Sequence, residues 1–285
     1  MLQQEIDNLV KEKVLVIGLG EVGRPTFELL KETGRFDVYG FDIDEKKMID
    51  AGQSSKNLPD KVNVMHFCIL CHDEDKFVDI VVDYLKRFKP KLAIINSTVP
   101  PGTTAKVHKL SAGCLAAHSP VRGVHESLEH MKWELKRWTR YIGGANSESA
   151  EAARKHFEAL GMKTKVLKSS LETELAKLFE TTYRAWMIAC FQEMHRISRH
   201  FGAEFTDVVD FIEDTHRVRH DRPVMFPGVI GGHCLIPNAE LLLKNYDSEL
   251  IRLLLKSNEK RKEEAKNPDV MREIRKLKEK EELAS

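Results

Sequence analysis

Two hydrophobic rhythms alternate along the first part of the chain. Short apolar runs at 13–17, 37–41, 65–70, 92–95 and 115–118 have the pattern of strands buried on both faces. Between them, apolar residues recur at helical spacing, as with Phe77, Ile80, Val81, Tyr84 and Leu85 within 75–88. Two more short strands, at 140–143 and 164–167, flank a helix over 147–160. This alternation predicts a doubly wound parallel sheet with helices on both faces.

After residue 167 the strand signal stops. Ser169-x-x-Glu172 forms a capping box, and helical periodicity continues to about Phe201. That is roughly thirty residues, or about 45 Å of helix. A helix over 205–212, a loop dense in base at 216–222, a glycine-rich stretch at 227–234 and helices over 238–243 and 248–264 complete an all-helical part. Beyond Glu259 the chain is rich in Lys, Arg and Glu, with a thin stripe of Met271, Ile274 and Leu277. That stripe fits a solvated helix with a frayed end better than a partner seam. The domains expected are 1–167, 168–265 and a charged tail over 266–285.

The first strand runs into Gly18-x-Gly20-x-x-Gly23, and a helix follows. Gly18 permits the tight turn, Gly20 lets a diphosphate approach the backbone, and Gly23 lets the helix pack close to the strand. Glu21 and Val22 lie between them, where the helix N-terminus offers its N–H groups to phosphate. Asp42 ends the second strand 19 positions after Gly23, near the roughly 20 expected of a carboxylate that holds the ribose hydroxyls. Its charge would repel a 2′-phosphate, which favours NAD over NADP. The other role open to Asp42 is to cap a helix starting near Glu45. Strand, glycine turn, helix and acid together read as a Rossmann-type dinucleotide fold.

Composition narrows the class. With 285 residues and 42% hydrophobic content the chain can bury a real core. Lys+Arg 45 against Asp+Glu 44 leaves a net charge of +1, which gives no reason to expect nucleic acid or an anionic membrane as partner. The first seven residues do not read as a secretory signal, and no apolar run is long enough to span a membrane. Five scattered cysteines suggest reduced thiols in a cytoplasmic chain. Cys68-x-x-Cys71 has no second pair, and strand alternation would part the two residues, so core thiols rather than a metal site are expected.

Three places carry candidate chemistry. Ser97 and Thr98 stand at the carboxyl end of a strand, before Val99-Pro100-Pro101-Gly102-Thr103-Thr104, where open α/β sheets bind ligands. Lys177, Thr181 and Arg184 share one face of the long helix. That face suits an anionic or polyhydroxyl substrate, and equally a solvated helix side. Cys234 follows Gly231-Gly232-His233 and precedes a helix, a position that stabilises a thiolate. A nucleophilic thiol beside NAD suggests aldehyde capture and thioester formation; an inert buried cysteine is the alternative. The long helix also has an apolar side (Leu171, Leu175, Leu178, Met187, Phe191, Met194) wide enough for a homodimer through 169–201.

Four motifs in this order, Gly18-Leu-Gly20-Glu-Val-Gly23, Ser97-Thr98-Val99-Pro100-Pro101-Gly102-Thr103-Thr104, Glu174-Leu-Ala-Lys177 and Gly231-Gly232-His233-Cys234, resemble the UDP-glucose/GDP-mannose (nucleotide-sugar) dehydrogenase family over about 12–264. The resemblance covers that family's N-terminal and middle domains. Asn258 also looks like part of the helix that closes the middle domain. The resemblance implies NAD-dependent oxidation of a sugar alcohol to a carboxylate, with Cys234 as thioester nucleophile and Lys177 neutralising the oxyanion. Thr98 would lie near the cofactor and the hydrolytic water. From the residues themselves, Lys177, Thr181, Arg184, Arg217, His220, Arg222 and Gly231 are candidates to bind an anionic substrate. Three positions depart from the family pattern: Val121 stands for Glu, Thr181 for Asn, and Asn238 for the water-activating Asp. Two alternatives follow from them: a single-step β-hydroxyacid-type dehydrogenase using Lys177, or a non-catalytic NAD-binding protein.

Overall fold

The computed structural model describes residues 11–284 and divides into two compact units, Met1–Lys177 and Leu178–Ser285. The expectation drawn from the first seven residues lies outside the described part. In the first unit the order is β1 (Glu12–Ile17), α1 (Gly23–Glu32), β2 (Phe36–Phe41), α2 (Glu45–Asp50), β3 (Val64–Phe67), α3 (Glu74–Phe88), β4 (Leu92–Ile95), α4 (Thr103–Leu110), β5 (Leu115–His118), α5 (Leu128–Arg137), β6 (Arg140–Gly144), α6 (Ser147–Ala159) and β7 (Thr164–Val166).

The sheet order is β2-β1-β3-β4-β5-β6-β7. Successive residues of β1 serve opposite layers, as strand alternation requires. Val14 and Val16 pack with Phe27 and Leu30 of α1 and Phe157 of α6. Leu15 and Ile17 pack with Phe77, Val81 and Leu85 of α3. Each such side chain, fully buried, contributes about 1.5–3 kcal/mol. The chain reverses direction across the sheet between β1 and β3, so the carboxyl ends of these strands form the crevice where doubly wound sheets take ligands.

One pairing departs from the all-parallel expectation. β6 runs antiparallel to β5, with His118 opposite Gly143. The connection between them does not cross the sheet; α5 instead packs Met131 and Leu135 against Leu29 of α1 and Val121. The chain therefore re-enters from the end it left. β3 also stops at Phe67, so Cys68 and Cys71 lie in a loop where strand alternation does not operate. Burial pushes the Cys68 thiol up to about 12. Asp44, not Asp42, caps α2, accepting from the Lys46 amide at 3.0 Å.

α7 (Ser170–His200) begins in the first unit and continues into the second, followed by α8 (Phe205–Arg219), α9 (Leu235–Asn245), α10 (Glu249–Glu264) and α11 (Pro268–Ala284). Two expectations are corrected here. The helix expected at 205–212 extends to Arg219, so His216, Arg217 and Arg219 form its last turn rather than a loop. It ends where His220 takes a left-handed conformation and donates its amide to the His216 carbonyl. The charged tail is not simply solvated: Val270, Ile274 and Leu277 are buried, and Leu277 joins Phe191, Phe205 and Val209 in one cluster. A stripe of one residue per turn suffices when it meets an apolar groove.

The apolar face of α7 is also redistributed. Leu178 and Phe191 are buried within the fold, whereas Phe179, Tyr183, Met194 and Ile197 are exposed along one stripe, and Leu171 and, just past the helix, Phe201 are exposed as well. Among the described residues no helix is long and apolar enough to cross a membrane.

Candidate functional site

In the first unit, candidate chemistry gathers at the carboxyl ends of β1, β2 and β4. Gly18 takes a left-handed conformation (φ +87°), and a Cβ there would sit 2.5 Å from the Cys68 carbonyl oxygen. A Cβ on Gly23 would fall 1.6 Å from the Gly18 carbonyl oxygen. At Gly20 nothing lies within 4 Å of that position. Two glycines are thus required by the protein's own packing, while Gly20 opens the backbone to the outside. Val22 is the N-cap residue of α1, which has no side-chain cap and no acid in its first turn. Its N-terminal dipole is therefore available to an anion.

Asp42 reaches this same turn. Its Oδ2 accepts from the Leu19 amide at 2.6 Å and its Oδ1 from the Asp44 amide at 2.9 Å. Lys47 Nζ stands 3.9 Å from Oδ2. The acid at the end of β2 is held at the lip of the glycine turn, where a ribose following a diphosphate would arrive. A cavity of about 330 Å³ adjoins the turn, lined by Leu19, Gly20, Glu21, Arg24, His125 and Met131 among others. Across it Glu21 faces His125 at 3.5 Å. The glycine cradle, the open Gly20 and the placed acid fit a dinucleotide.

β4 ends in a tightly held loop. Ser97 Oγ donates to the Phe67 carbonyl at 3.2 Å, and Thr98 beyond it is half-buried. His118, buried at the end of β5, lies with Nε2 3.0 Å from the Ser97 carbonyl and Nδ1 2.8 Å from Thr173 Oγ1. A carbonyl only accepts, so Nε2 carries the proton. Burial, with Arg140 and Lys177 adding repulsion, pushes the His118 imidazole down to about 3, so the ring is neutral. At the other end of the loop the buried Glu174 accepts from the Gly102 amide at 2.6 Å and the Thr104 amide at 2.9 Å. Desolvation pushes this carboxyl above its usual range. His118 does not stand out in the sequence, and Glu174 enters only as the first residue of the Glu174-Leu-Ala-Lys177 motif, with no role assigned to it. Its place one helical turn before Lys177 puts it on the lysine's side of the helix. Lys177 itself is half-buried. Val121 is buried in the α1–α5 cluster as an apolar residue.

In the second unit the candidates divide. Cys234, half-buried, is the N-cap residue of α9, and its carbonyl accepts from the Asn238 amide at 3.0 Å. Asn238 is buried, and its Nδ2 donates to Thr181 Oγ1 at 3.1 Å. Thr181 in turn donates to the Leu178 carbonyl at 3.0 Å. The loop before Cys234 is pinned from two helices. Asn258 of α10 holds Ile230 with both amide atoms, at 2.8 and 3.1 Å, and Gln192 of α7 donates to the Gly228 carbonyl at 2.7 Å. The sequence puts Asn258 on a helix but shows nothing of this clamp, and Gln192 carries no signal. Gly231 is exposed and Gly232 adopts φ +78°. Arg184, Arg217, His220 and Arg222 are all exposed. Arg217 pairs with Glu213 at 3.4 Å and Arg222 with Asp221 at 2.5 Å.

Residues 171–260 match the family model described as UDP-glucose/GDP-mannose dehydrogenase family, central domain. The chain is 31% identical to the UDP-N-acetyl-D-mannosamine dehydrogenase of Methanocaldococcus jannaschii over 88% of its own length and 66% of that protein's, just under two thirds. Among solved structures it is similar to the UDP-D-ManNAc dehydrogenase of Pyrococcus horikoshii (TM-score 0.71, 26% identity, 87% of this chain and 68% of that one). It shares its fold with a 3-hydroxyisobutyrate dehydrogenase of Mycobacterium tuberculosis (TM-score 0.66, 18% identity, 94% and 99%).

Proposed function

The chain belongs to the UDP-glucose/GDP-mannose dehydrogenase family, and from that premise we propose that it oxidises the alcohol of an anionic nucleotide-sugar substrate with NAD. One observation carries the reading: an open Gly20 in a glycine cradle, with the Asp42 carboxylate 2.6 Å from the Leu19 amide at its lip. Gly18, Gly20, Glu21 and Val22 would hold the diphosphate through their backbone, and Asp42 the adenosine ribose. When bound, NAD supplies the hydride acceptor.

The chain's own residues supply the rest. Lys177 stabilises the oxyanion that develops as the alcohol loses its proton. With the first hydride passed to one NAD, the Cys234 thiol would add to the resulting aldehyde; loss of a second hydride, to a second NAD, would leave a thioester that water cleaves to the carboxylate and the free thiol. Thr98 lines the reacting region, and Arg184, Arg217, His220, Arg222 and the Gly231 backbone meet the substrate's charge. The reading places the chain in the cytoplasm, as a homodimer through the exposed stripe of α7.

The test is NADH formation from NAD and a panel of nucleotide sugars, UDP-N-acetyl-D-mannosamine and UDP-glucose included, followed by absorbance. Lys177→Ala should lower turnover by about 10²-fold or more. NAD binding without substrate-dependent NADH from any sugar would overturn the proposal. A second reading, one oxidation ending at the aldehyde, is favoured by Asn238, whose amide cannot take a proton from water. Cys234→Ser separates the two. The thioester route predicts an acid product that the variant no longer forms, whereas the single-step route predicts aldehyde from both.

A further inference from the structure

We propose that Thr173 and Glu174, near the start of α7, set the position of the 97–104 loop relative to Lys177, and that Glu174 is a positioning residue for the reaction. The inference rests on the function proposed above and extends it to a residue outside the reacting groups.

The loop is fixed at both ends, and both fixings come from adjacent residues of one helix. At its start, Thr173 holds His118, and His118 holds the Ser97 carbonyl. At its end, the two oxygens of Glu174 accept from the Gly102 and Thr104 amides. Thr98 lies between these points, and Lys177 lies three residues after Glu174, on the same side of the helix.

The capping of α4 has a physical reason to come from a distance. Gly102 is the N-cap residue of α4 and sits at φ +97°, a conformation that excludes the usual capping side chains. The first amides of α4 then need an acceptor from elsewhere. A carboxylate 70 residues later supplies it, although burying that group is unfavourable and pushes its pKa up. A neutral acceptor would satisfy a helix end alone. A fully buried acid with both oxygens engaged makes the loop follow the helix that carries Lys177. Loop and lysine then move as one body, which keeps the Thr98 hydroxyl and the Lys177 ammonium in register.

Glu174→Gln tests this with almost no change in volume. The amide has one acceptor oxygen and sets an NH₂ against a backbone N–H, so one of the two bonds is lost. Turnover should fall about 10–100-fold, while the KM for NAD and its calorimetric Kd stay within about threefold, because the 18–23 turn is untouched. Amide exchange at Gly102 and Thr104 should accelerate about tenfold, with β1 and α1 unchanged. If Glu174→Gln does not fold, Thr104→Pro removes one donor in a first-turn position that tolerates proline and should give the same pattern. Unchanged turnover would overturn the proposal. So would a parallel loss of turnover and NAD affinity with exchange raised throughout the sheet, since that is the signature of a structural role. If the wild-type chain forms no NADH from any sugar, the functional reading fails instead. Local exchange then still decides whether the clamp exists: acceleration confined to the loop supports it, and unchanged exchange refutes it.

Discussion

Asn238 Nδ2 donates to Thr181 Oγ1 across 3.1 Å, and both side chains are buried. These are two of the three positions at which the chain departs from the motif pattern it otherwise follows. The replacements are therefore partners: the threonine that stands in for a longer amide accepts from the amide that stands in for an acid. Thr181 spends its one proton on the Leu178 carbonyl, so its oxygen is left to accept, and an asparagine suits it better than an unprotonated aspartate.

Asn238→Asp should therefore act in two directions. A carboxylate at 238 can take a proton from water, a role typically worth about 10²–10⁴-fold. If Cys234 forms a thioester, its hydrolysis should quicken, and the steady-state rate of acid formation should rise by at least about tenfold, read as NADH formed per second after the first turnover. The buried carboxylate must also draw the Thr181 hydroxyl away from Leu178, so the melting temperature should fall. Pairing Asn238→Asp with Thr181→Asn should recover part of that loss. An unchanged rate of acid formation would show that position 238 does not activate the hydrolytic water.

The glycine turn separates folding from binding. Gly23→Ala puts a methyl into the Gly18 carbonyl, and both atoms belong to the backbone core of the turn. Substantial destabilisation is expected, seen as loss of the cooperative unfolding transition. Gly20→Ala meets nothing within 4 Å, so its stability should stay within about 1 kcal/mol of wild type. Its NAD affinity should nonetheless drop about tenfold or more, because a diphosphate needs that space. Calorimetry and a urea titration on the two variants would distinguish the roles.

The glycine turn was legible because its constraint is local. Three residues within a short stretch decide whether strand and helix can meet. The strands of the first unit were legible for a similar reason, since burial on both faces leaves an unbroken apolar run. Contacts made across long separations were not legible. Glu174 reaches Gly102, Asn258 reaches Ile230 and His118 reaches Thr173 through the fold, and no spacing rule announces such pairs. The end of α8 is hard to read from the sequence, because basic residues in a last helical turn resemble a basic loop. Asp42 could be assigned to the lip of the turn by its distance from Gly23, but only the structure shows Asp44 taking the capping role.

Asp42 should govern which cofactor is accepted. It is held by two backbone amides at the lip of the glycine turn, where the NAD proposed above would bring its ribose. Asp42→Ala removes a charge-assisted acceptor worth about 1.5–3 kcal/mol, so NAD affinity should fall about 10–100-fold. NADP affinity should fall less or rise, because the repulsion of a 2′-phosphate is also removed. Titration of both cofactors by calorimetry checks this, and an equal loss for both would place the ribose elsewhere.

Stability should depend on pH through histidines that are buried neutral. His66 lies against His156, Nε2 to Nε2 at 2.9 Å, and against Asn96 at 3.1 Å. Burial pushes the His66 imidazole down to about 4, His118 down to about 3, and His156 well below its usual value. Two protonated rings could not share the 2.9 Å contact, because each would present an N–H to the other. The unfolded chain titrates these rings near pH 6.5 and so binds more protons than the native state below that pH. Their contribution is therefore fully present above about pH 6.5 and is lost progressively as pH falls towards about 4 and then about 3. At about 1.4 kcal/mol per unit, His66 and His118 together represent on the order of 8 kcal/mol once pH has fallen through both values, comparable to the whole stability of an ordinary domain. The urea midpoint should stay nearly flat from pH 8 to about 6.5 and drop steeply below it. His118→Gln keeps a donor for the Ser97 carbonyl but cannot titrate, so it should reduce the slope while lowering the neutral-pH midpoint modestly. A wild-type midpoint that holds level down to pH 4 would show that these rings are not buried in their neutral form.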